Sequence, residues 1–164
     1  MALIGRASDA VQIMTSGATA FRSTGATVIM PLWLSYWARA YAELGQIDDA
    51  RRCVSEAMTA METSKESWCE ADVYRIAGKM ALMSPDPDAK KAEAYFERAL
   101  AVARKQQAKS WELRAAMSMA RLWRDQGKRD EARSLLAPVH GWFTEGFDTL
   151  DLNEAVGLLN ELAS

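Results

Sequence analysis

The sequence predicts an all-α fold in which antiparallel helix hairpins stack in a row as a solenoid, and three observations predict it. The composition is that of an ordered chain, because 49% of the 164 residues are hydrophobic, 26% are charged, and only 9 are Gly and 4 Pro. Apolar residues recur at helical spacing. A short motif recurs about every 40 residues, and such a period is typical of repeat proteins in which each unit packs on its neighbours.

The recurring motif is a glycine followed, after four intervening residues, by an alanine. Three copies have this form, and a fourth replaces the glycine by a proline-containing turn that is two residues longer. The alanines are at positions 10, 50, 92 and 132, so that successive copies are 40, 42 and 40 residues apart. Each copy predicts a tight turn between two helices, the second of which runs back along the first.

The motif divides the chain into five segments. Residues 30–66, 67–108 and 109–146 are predicted to be complete repeats, residues 1–29 the second helix of an incomplete repeat, and residues 147–164 a C-terminal cap helix. A cap is expected because the end of a solenoid otherwise exposes an apolar face. The incomplete first repeat leaves two interpretations open: the chain is a fragment of a longer solenoid, which we favour, or a second copy covers the exposed face.

Packing and capping residues follow the same division. Small residues stand where paired helices must approach most closely, at Ala38, Gly78 and Ala120 on the first helices. The large residues Trp37, Phe96 and Trp123 are predicted to fill the core. Ser67 with Glu70 is predicted to form a capping box, and Ser110 to cap the next helix. Leu152, Ala155, Val156, Leu159 and Leu162 are predicted to form the apolar side of the cap helix.

The spacing resembles that of the tetratricopeptide repeat, with Pro31 as position 1. Positions 7, 8, 11, 15, 20, 24 and 27 are then Trp37, Ala38, Tyr41, Gly45, Ala50, Val54 and Ala57. The period of about 40 exceeds the usual 34, so we expect longer helices. Residues 41–45, 109–116 and 142–149 also look like the C-terminal repeat region of large bacterial signalling proteins with cyclase or transcriptional-regulator and ATPase domains. That resemblance covers only the repeat region, so neither enzymatic activity transfers to this chain.

Catalytic and metal-binding patterns are not found in the sequence. It contains no phosphate-binding loop of the form GxxxxGK[ST], no HExxH and no GxSxG. One histidine, His140, and two cysteines, Cys53 and Cys69, are too few for a zinc site or a disulfide framework. We therefore expect a non-catalytic chain without cofactor or metal. The competing class is a small enzyme or ligand sensor, which requires a buried polar pocket.

The candidate partner-binding residues form a row of cations. In the tetratricopeptide repeat the first helix of each unit lines a concave groove, and that resemblance places six cations in it: Arg39, Arg75, Lys79, Arg114, Arg121 and Arg124. Such a basic groove suits an acidic peptide or a partner protein, because Arg binds carboxylates in bidentate fashion. The alternative is a solvated face in which Arg39 pairs with Glu43 and Arg121 with Asp125.

Charge and hydropathy define the expected setting. The net charge of −2 gives no general attraction to nucleic acid, and most aromatic residues are assigned to the core. No apolar run approaches the ~20 residues of a membrane span, and no secretory signal precedes the first repeat. We expect a cytoplasmic protein-interaction module that binds a protein or acidic peptide, and that can form homo-oligomers through residues 1–29. The alternative is a homo-oligomeric small-ligand sensor or regulatory domain of a cyclase or ATPase system.

Overall fold

The computed structural model describes residues 13, 16–17, 28–65 and 67–163. This part of the chain contains α-helices and no strand, so the prediction of an all-α fold is confirmed. Most of the predicted half repeat, residues 1–29, lies outside the described residues. The helices, numbered along the chain, are α1 (Met30–Glu43), α2 (Ile47–Ser64), α3 (Glu70–Leu82), α4 (Ala89–Lys105), α5 (Lys109–Asp125), α6 (Arg129–His140) and α7 (Leu150–Ala163).

The seven helices pack in chain order. Each contacts the next one along the chain, and α1, α3, α5 and α7 also contact one another in succession. Among these seven helices, none contacts a helix more than two positions away. Because α1 and α2 are joined by residues 44–46 and pack together along their lengths, they run antiparallel, and the same holds for α5 and α6 across residues 126–128.

Two of the predicted glycine turns have the backbone conformation that glycine favours. Gly45 has φ +75° and Gly127 has φ +80°, in the left-handed region where a Cβ is unfavourable. After Gly45, the amide of Gln46 donates to the carbonyl oxygen of Tyr41 at 2.8 Å, which closes the end of α1. The longer turn before α4 ends differently, with the side chain of Asp88 accepting a hydrogen bond from the backbone of Lys91 at 2.9 Å.

The hydrophobic interior forms two main clusters. One joins α1, α2 and α3 and includes Trp37, and the other joins α4, α5, α6 and α7 and includes Phe96. The motif alanines at the starts of α2, α4 and α6 have no exposed surface: these are Ala50, Ala92 and Ala132. Trp37 and Phe96 are buried as predicted, whereas Trp123 is half-buried and donates its indole N–H to Glu93 at 2.6 Å.

The predicted serine caps are wrong. Helix α3 begins at Glu70 with Cys69 at the N-cap, and no side chain caps it. The Glu70 carboxylate instead accepts a hydrogen bond from Arg98 on α4 at 3.0 Å, since the two helices pack closely enough for this contact. Ser110 lies within the first turn of α5, one residue after its start, so its hydroxyl is misplaced for the N-cap position.

Helix α7 packs against α5 and α6 at the end of the row. Its buried residues are Leu152, Ala155, Leu158 and Leu162. Val156, predicted on the apolar side, is exposed, and Leu158 takes the buried position instead. Helix α7 therefore covers the last hairpin with a stripe of four apolar side chains, and its other faces remain available for polar residues.

Candidate partner-binding face

The six predicted cations lie on α1, α3 and α5, the three helices that contact one another in succession. We call the surface formed by these cations and by the carboxylates that pair with them the charged face. Lys79 is near its centre, because it lies within electrostatic range of Arg75 on its own helix, Arg39 on α1, Arg121 on α5 and Glu154 on α7. The structure thus brings one side chain from each of four helices to one surface.

Lys79 is the most strongly perturbed cation of the charged face. Its pKa is lowered from 10.5 to about 8, mainly by burial and also by the neighbouring charges of Arg75, Arg39 and Arg121, against a smaller opposing effect of Glu154. Burial and the charge of Arg75 also lower the pKa of Arg39. Within the described residues, neither Arg39 nor Lys79 has a carboxylate within 4 Å. Two adjacent helices therefore present cations that form no ion pair with another described residue.

Arg75 has a different role in the charged face. Its Nε and Nη2 atoms both donate to Oδ1 of Asp72, at 2.8 and 2.7 Å. Both side chains are buried, with 7% of Arg75 and 2% of Asp72 exposed. Because its hydrogen bonds are directed at a carboxylate on its own helix, Arg75 acts on Arg39 and Lys79 through its charge rather than as a surface donor.

The cations of α5 are paired with carboxylates of α7. Arg114 contacts Asp151 at 2.7 Å and Arg121 contacts Glu154 at 2.8 Å. The remaining cation, Arg124, contacts both Glu161 and Asp125. The expected pairing of Arg121 with Asp125 is therefore wrong, since the neighbouring helix supplies a closer partner.

Sequence reasoning missed these three carboxylates of α7, although a signal for them exists. Glu154 follows Asp151 by three positions and precedes Glu161 by seven, which places all three on one side of a helix. Because the sequence analysis considered only the apolar side of the cap helix, it did not match this acidic side with the cations of α5.

The tryptophans that were not assigned to the core do not gather into one patch. Trp33 and Trp68 pack against the core of α1, α2 and α3, and the rings of Trp68 and Trp111 are 6.2 Å apart. Trp142 is 57% exposed, after the end of α6, with its ring against Phe143 at 5.3 Å. Of these three tryptophans only Trp142 is exposed, so they do not form one exposed patch.

A separate cavity of about 830 Å³ lies between α2, α3, α4 and the turn before α4. Its lining combines apolar residues with charged residues of both signs: these are Met58, Met80, Arg51, Lys91, Asp86 and Asp88. Arg51 donates a hydrogen bond to the hydroxyl of Ser84 across its mouth. His140 is at the end of α6, with its ring 6.4 Å from that of Phe147, and does not line this cavity.

The remaining candidate groups for chemistry are dispersed. Cys53 and Cys69 are buried free thiols, and burial raises the pKa of each to about 11. No group of three or more metal-ligating side chains occurs within the described part of the chain. Over the same residues, none of the helices combines the length and the apolar character that a membrane span requires.

Comparison with protein-family models finds no match for this chain, and comparison with curated proteins finds none either. The class supported by the fold is that of an all-α protein with helices packed in chain order.

Proposed function

We propose that this chain is a non-catalytic, tetratricopeptide-like interaction module that binds an acidic segment of a partner protein at the α1 and α3 end of the charged face. The observation that carries the proposal is the pair Arg39 and Lys79, which has no carboxylate partner among the described residues while burial and neighbouring cations lower the pKa of Lys79 to about 8. An anion bound there relieves the repulsion among these cations.

The repeat character is supported by three features. The glycine turns at 45 and 127 have the same backbone conformation, the motif alanines of α2, α4 and α6 are buried, and each described helix contacts only helices one or two positions away in the row. In this proposal the chain is the repeat region of a bacterial signalling protein, or a fragment of one, and it acts in the cytoplasm. Pairing of two copies through residues 1–29 is part of the same prediction, and sedimentation equilibrium tests it.

The test is a titration of a labelled, glutamate-rich 12-residue peptide followed by fluorescence anisotropy. We expect Arg39→Glu, Lys79→Glu and Arg121→Glu together to abolish binding, while circular dichroism shows unchanged helicity. The matched control reverses three exposed cations elsewhere, Lys90, Lys128 and Arg133, and changes the net charge by the same amount. Equal loss of binding in both variants would show a general charge effect and would contradict a specific face.

A comparison within the charged face locates the binding end. Arg39→Glu with Lys79→Glu should weaken peptide binding more than Arg114→Glu with Arg124→Glu, because only the second pair is already matched by carboxylates. The opposite order of effects would move the site to α5 and contradict the proposal.

The second candidate function is small-ligand sensing in the cavity between α2, α3 and α4. Its volume of about 830 Å³ is in the range of small-molecule sites. Its methionines suit an aromatic ring and its cations Arg51 and Lys91 suit a carboxylate, while Asp86 and Asp88 balance the charge of the lining. Benzoate is a suitable probe in a thermal-shift titration, with Ser55→Trp as the variant that fills the cavity from an exposed lining position. A benzoate-dependent rise in Tm that Ser55→Trp removes would favour this function, and no rise would exclude benzoate-type ligands.

A further inference from the structure

The net charge of the charged face changes sign along the row of helices. The α1 and α3 end has one positive charge in excess, because three cations are opposed by two carboxylates. The cations are Arg39, Arg75 and Lys79, and the carboxylates are Glu43 and Asp72. The α5 and α7 end has one negative charge in excess, because three cations are opposed by four carboxylates. The cations are Arg114, Arg121 and Arg124, and the carboxylates are Asp125, Asp151, Glu154 and Glu161. The charged face therefore has a positive end and a negative end.

The negative end is held in place by packing. Helix α7 buries an apolar stripe against α5 and α6, so the backbone that carries Asp151, Glu154 and Glu161 is anchored on the side away from these carboxylates. Each carboxylate also accepts a hydrogen bond from an arginine of α5. The acidic groups are thus positioned on a packed helix rather than on a loop.

The acidic groups remain accessible to a partner. The side chains of Glu154 and Glu161 are 45% and 58% exposed. In each, the arginine contact is made by Oε2. A lysine or arginine of a bound segment can therefore approach these carboxylates without breaking the existing ion pairs.

We propose that the segment bound by the charged face is itself dipolar, with an acidic side chain at Arg39 and Lys79 and a basic side chain at Glu154 and Glu161. This inference rests on the proposed function and specifies its partner. Glu154 on α7 lies within electrostatic range of Lys79 on α3, so the acidic and basic contacts lie close together on the charged face. Neighbouring helix axes are about 8–10 Å apart and an extended chain advances about 3.3 Å per residue, so the two charges should be about three residues apart.

A uniformly acidic segment of the same length fits the face less well. Its acidic residues at one end would bind beside Lys79, but those at the other end would meet the carboxylates of α7. The carboxylates of Glu154 and Glu161 are partly exposed, so they repel an acidic side chain placed beside them and attract a lysine or arginine in the same position.

The experiment compares two labelled 12-residue peptides by fluorescence anisotropy. The dipolar peptide has glutamates at one end and lysines at the other, with the innermost glutamate and the innermost lysine about three positions apart, and the acidic peptide has glutamates in both blocks. We expect the wild-type chain to bind the dipolar peptide about tenfold more tightly than the acidic peptide in low salt.

The double variant Glu154→Gln with Glu161→Gln should reverse this preference, because it removes two carboxylates and leaves Arg121 and Arg124 with fewer partners. The control, Glu97→Gln with Glu131→Gln, changes two exposed carboxylates of α4 and α6 and should retain the wild-type preference.

The outcomes separate the two proposals. Equal or tighter binding of the acidic peptide by the wild-type chain overturns the dipolar partner and leaves the proposed function intact. Binding of neither peptide overturns the proposed function, and the dipolar partner with it. A preference that persists in Glu154→Gln with Glu161→Gln also overturns the assignment of α7 as the acidic end, and circular dichroism of that variant establishes that it is folded.

Discussion

The ring of Phe96 occupies the space in which any residue larger than glycine at position 78 would place its Cβ. A Cβ at position 78 would overlap with Cε1 of Phe96 and would be 2.7 Å from its Cδ1. Phe96 has only 1% of its surface exposed, so the ring has little room to move. This contact lets α3 and α4 approach closely, and it explains why a glycine is tolerated inside a helix, where it is usually unfavourable.

Gly78→Ala should therefore destabilise the fold. Overpacking of a core contact costs about 1–3 kcal/mol, which exceeds the gain of up to ~1 kcal/mol in helix propensity. Urea unfolding followed by circular dichroism measures the change. The matched control is Gly157→Ala on α7, where a new Cβ meets nothing within 4 Å, and which should stabilise the fold by about 0.5–1 kcal/mol. If both variants were stabilised, the Phe96 contact would not limit the helix spacing.

Removal of one member of the buried pair Asp72 and Arg75 should be strongly destabilising. Asp72→Asn leaves a buried guanidinium without its carboxylate beside two further cations, and breaking such a pair typically costs about 3–5 kcal/mol. Replacing both residues by Met should recover most of this loss, because the unpaired charge is then absent. A double variant less stable than Asp72→Asn would contradict this account, and chemical denaturation measures all three proteins.

Lys79→Met should stabilise the folded chain near pH 7. The pKa of Lys79 is lowered from 10.5 to about 8 when the chain folds, so the charged form is disfavoured in the folded state. Between these two values the unfolded chain holds a proton that the folded chain has released, and the stability of the wild type consequently rises with pH in this interval. We expect Lys79→Met to gain about 1–2 kcal/mol at pH 7, with the gain shrinking towards pH 10.5.

The control for this prediction is Lys90→Met, which removes an exposed lysine of α4 and should show no such pH dependence. Denaturation curves at several pH values measure the difference between each variant and the wild type. A constant gain for Lys79→Met from pH 7 to pH 10.5 would mean that ordinary hydrophobic burial, rather than loss of an unfavourable charge, produces it.

The two thiols should react slowly in the folded chain. Burial raises the pKa of Cys53 and of Cys69 to about 11, so the reactive thiolate is scarce at neutral pH and the sulfur is inaccessible. Ellman's reagent should detect both thiols promptly in denaturant and neither promptly in buffer. Ser55→Cys adds a thiol at an exposed position of α2 and should react at once. Rapid labelling of the native wild type would show that the helices open locally.

Features that depend on backbone conformation and helical spacing were predictable from the sequence. The turns at Gly45 and Gly127 require a conformation that few other residues adopt, so the glycines mark them directly. The small residue at position 78 was predictable for a similar reason, since only a residue without a large side chain permits close approach. These signals are local, and a single repeat contains all the information needed to read them.

Features that depend on which side chains meet across helices were not predictable in the same way. Arg121 has an acidic residue four positions along its own helix, yet it pairs with Glu154 of α7. Asp125 and Glu154 are both carboxylates that could pair with Arg121, and only the position of α7 in the fold decides between them. The low pKa of Lys79 likewise arises mainly from burial, and after it from Arg75, Arg39 and Arg121. Of these causes, the spacing along one helix reveals only Arg75, four positions before Lys79.

Contacts restricted to helices one or two positions apart along the row also define how the described chain should fold. No described helix contacts another more than two positions away, so each loop that folding must close is limited to about one repeat in length and the contact order is low. Folding should consequently be fast and able to begin at more than one hairpin. Under tension the chain should lose its helices from an end one hairpin at a time, because no strand or long-range contact ties the first helix to the last within the described residues.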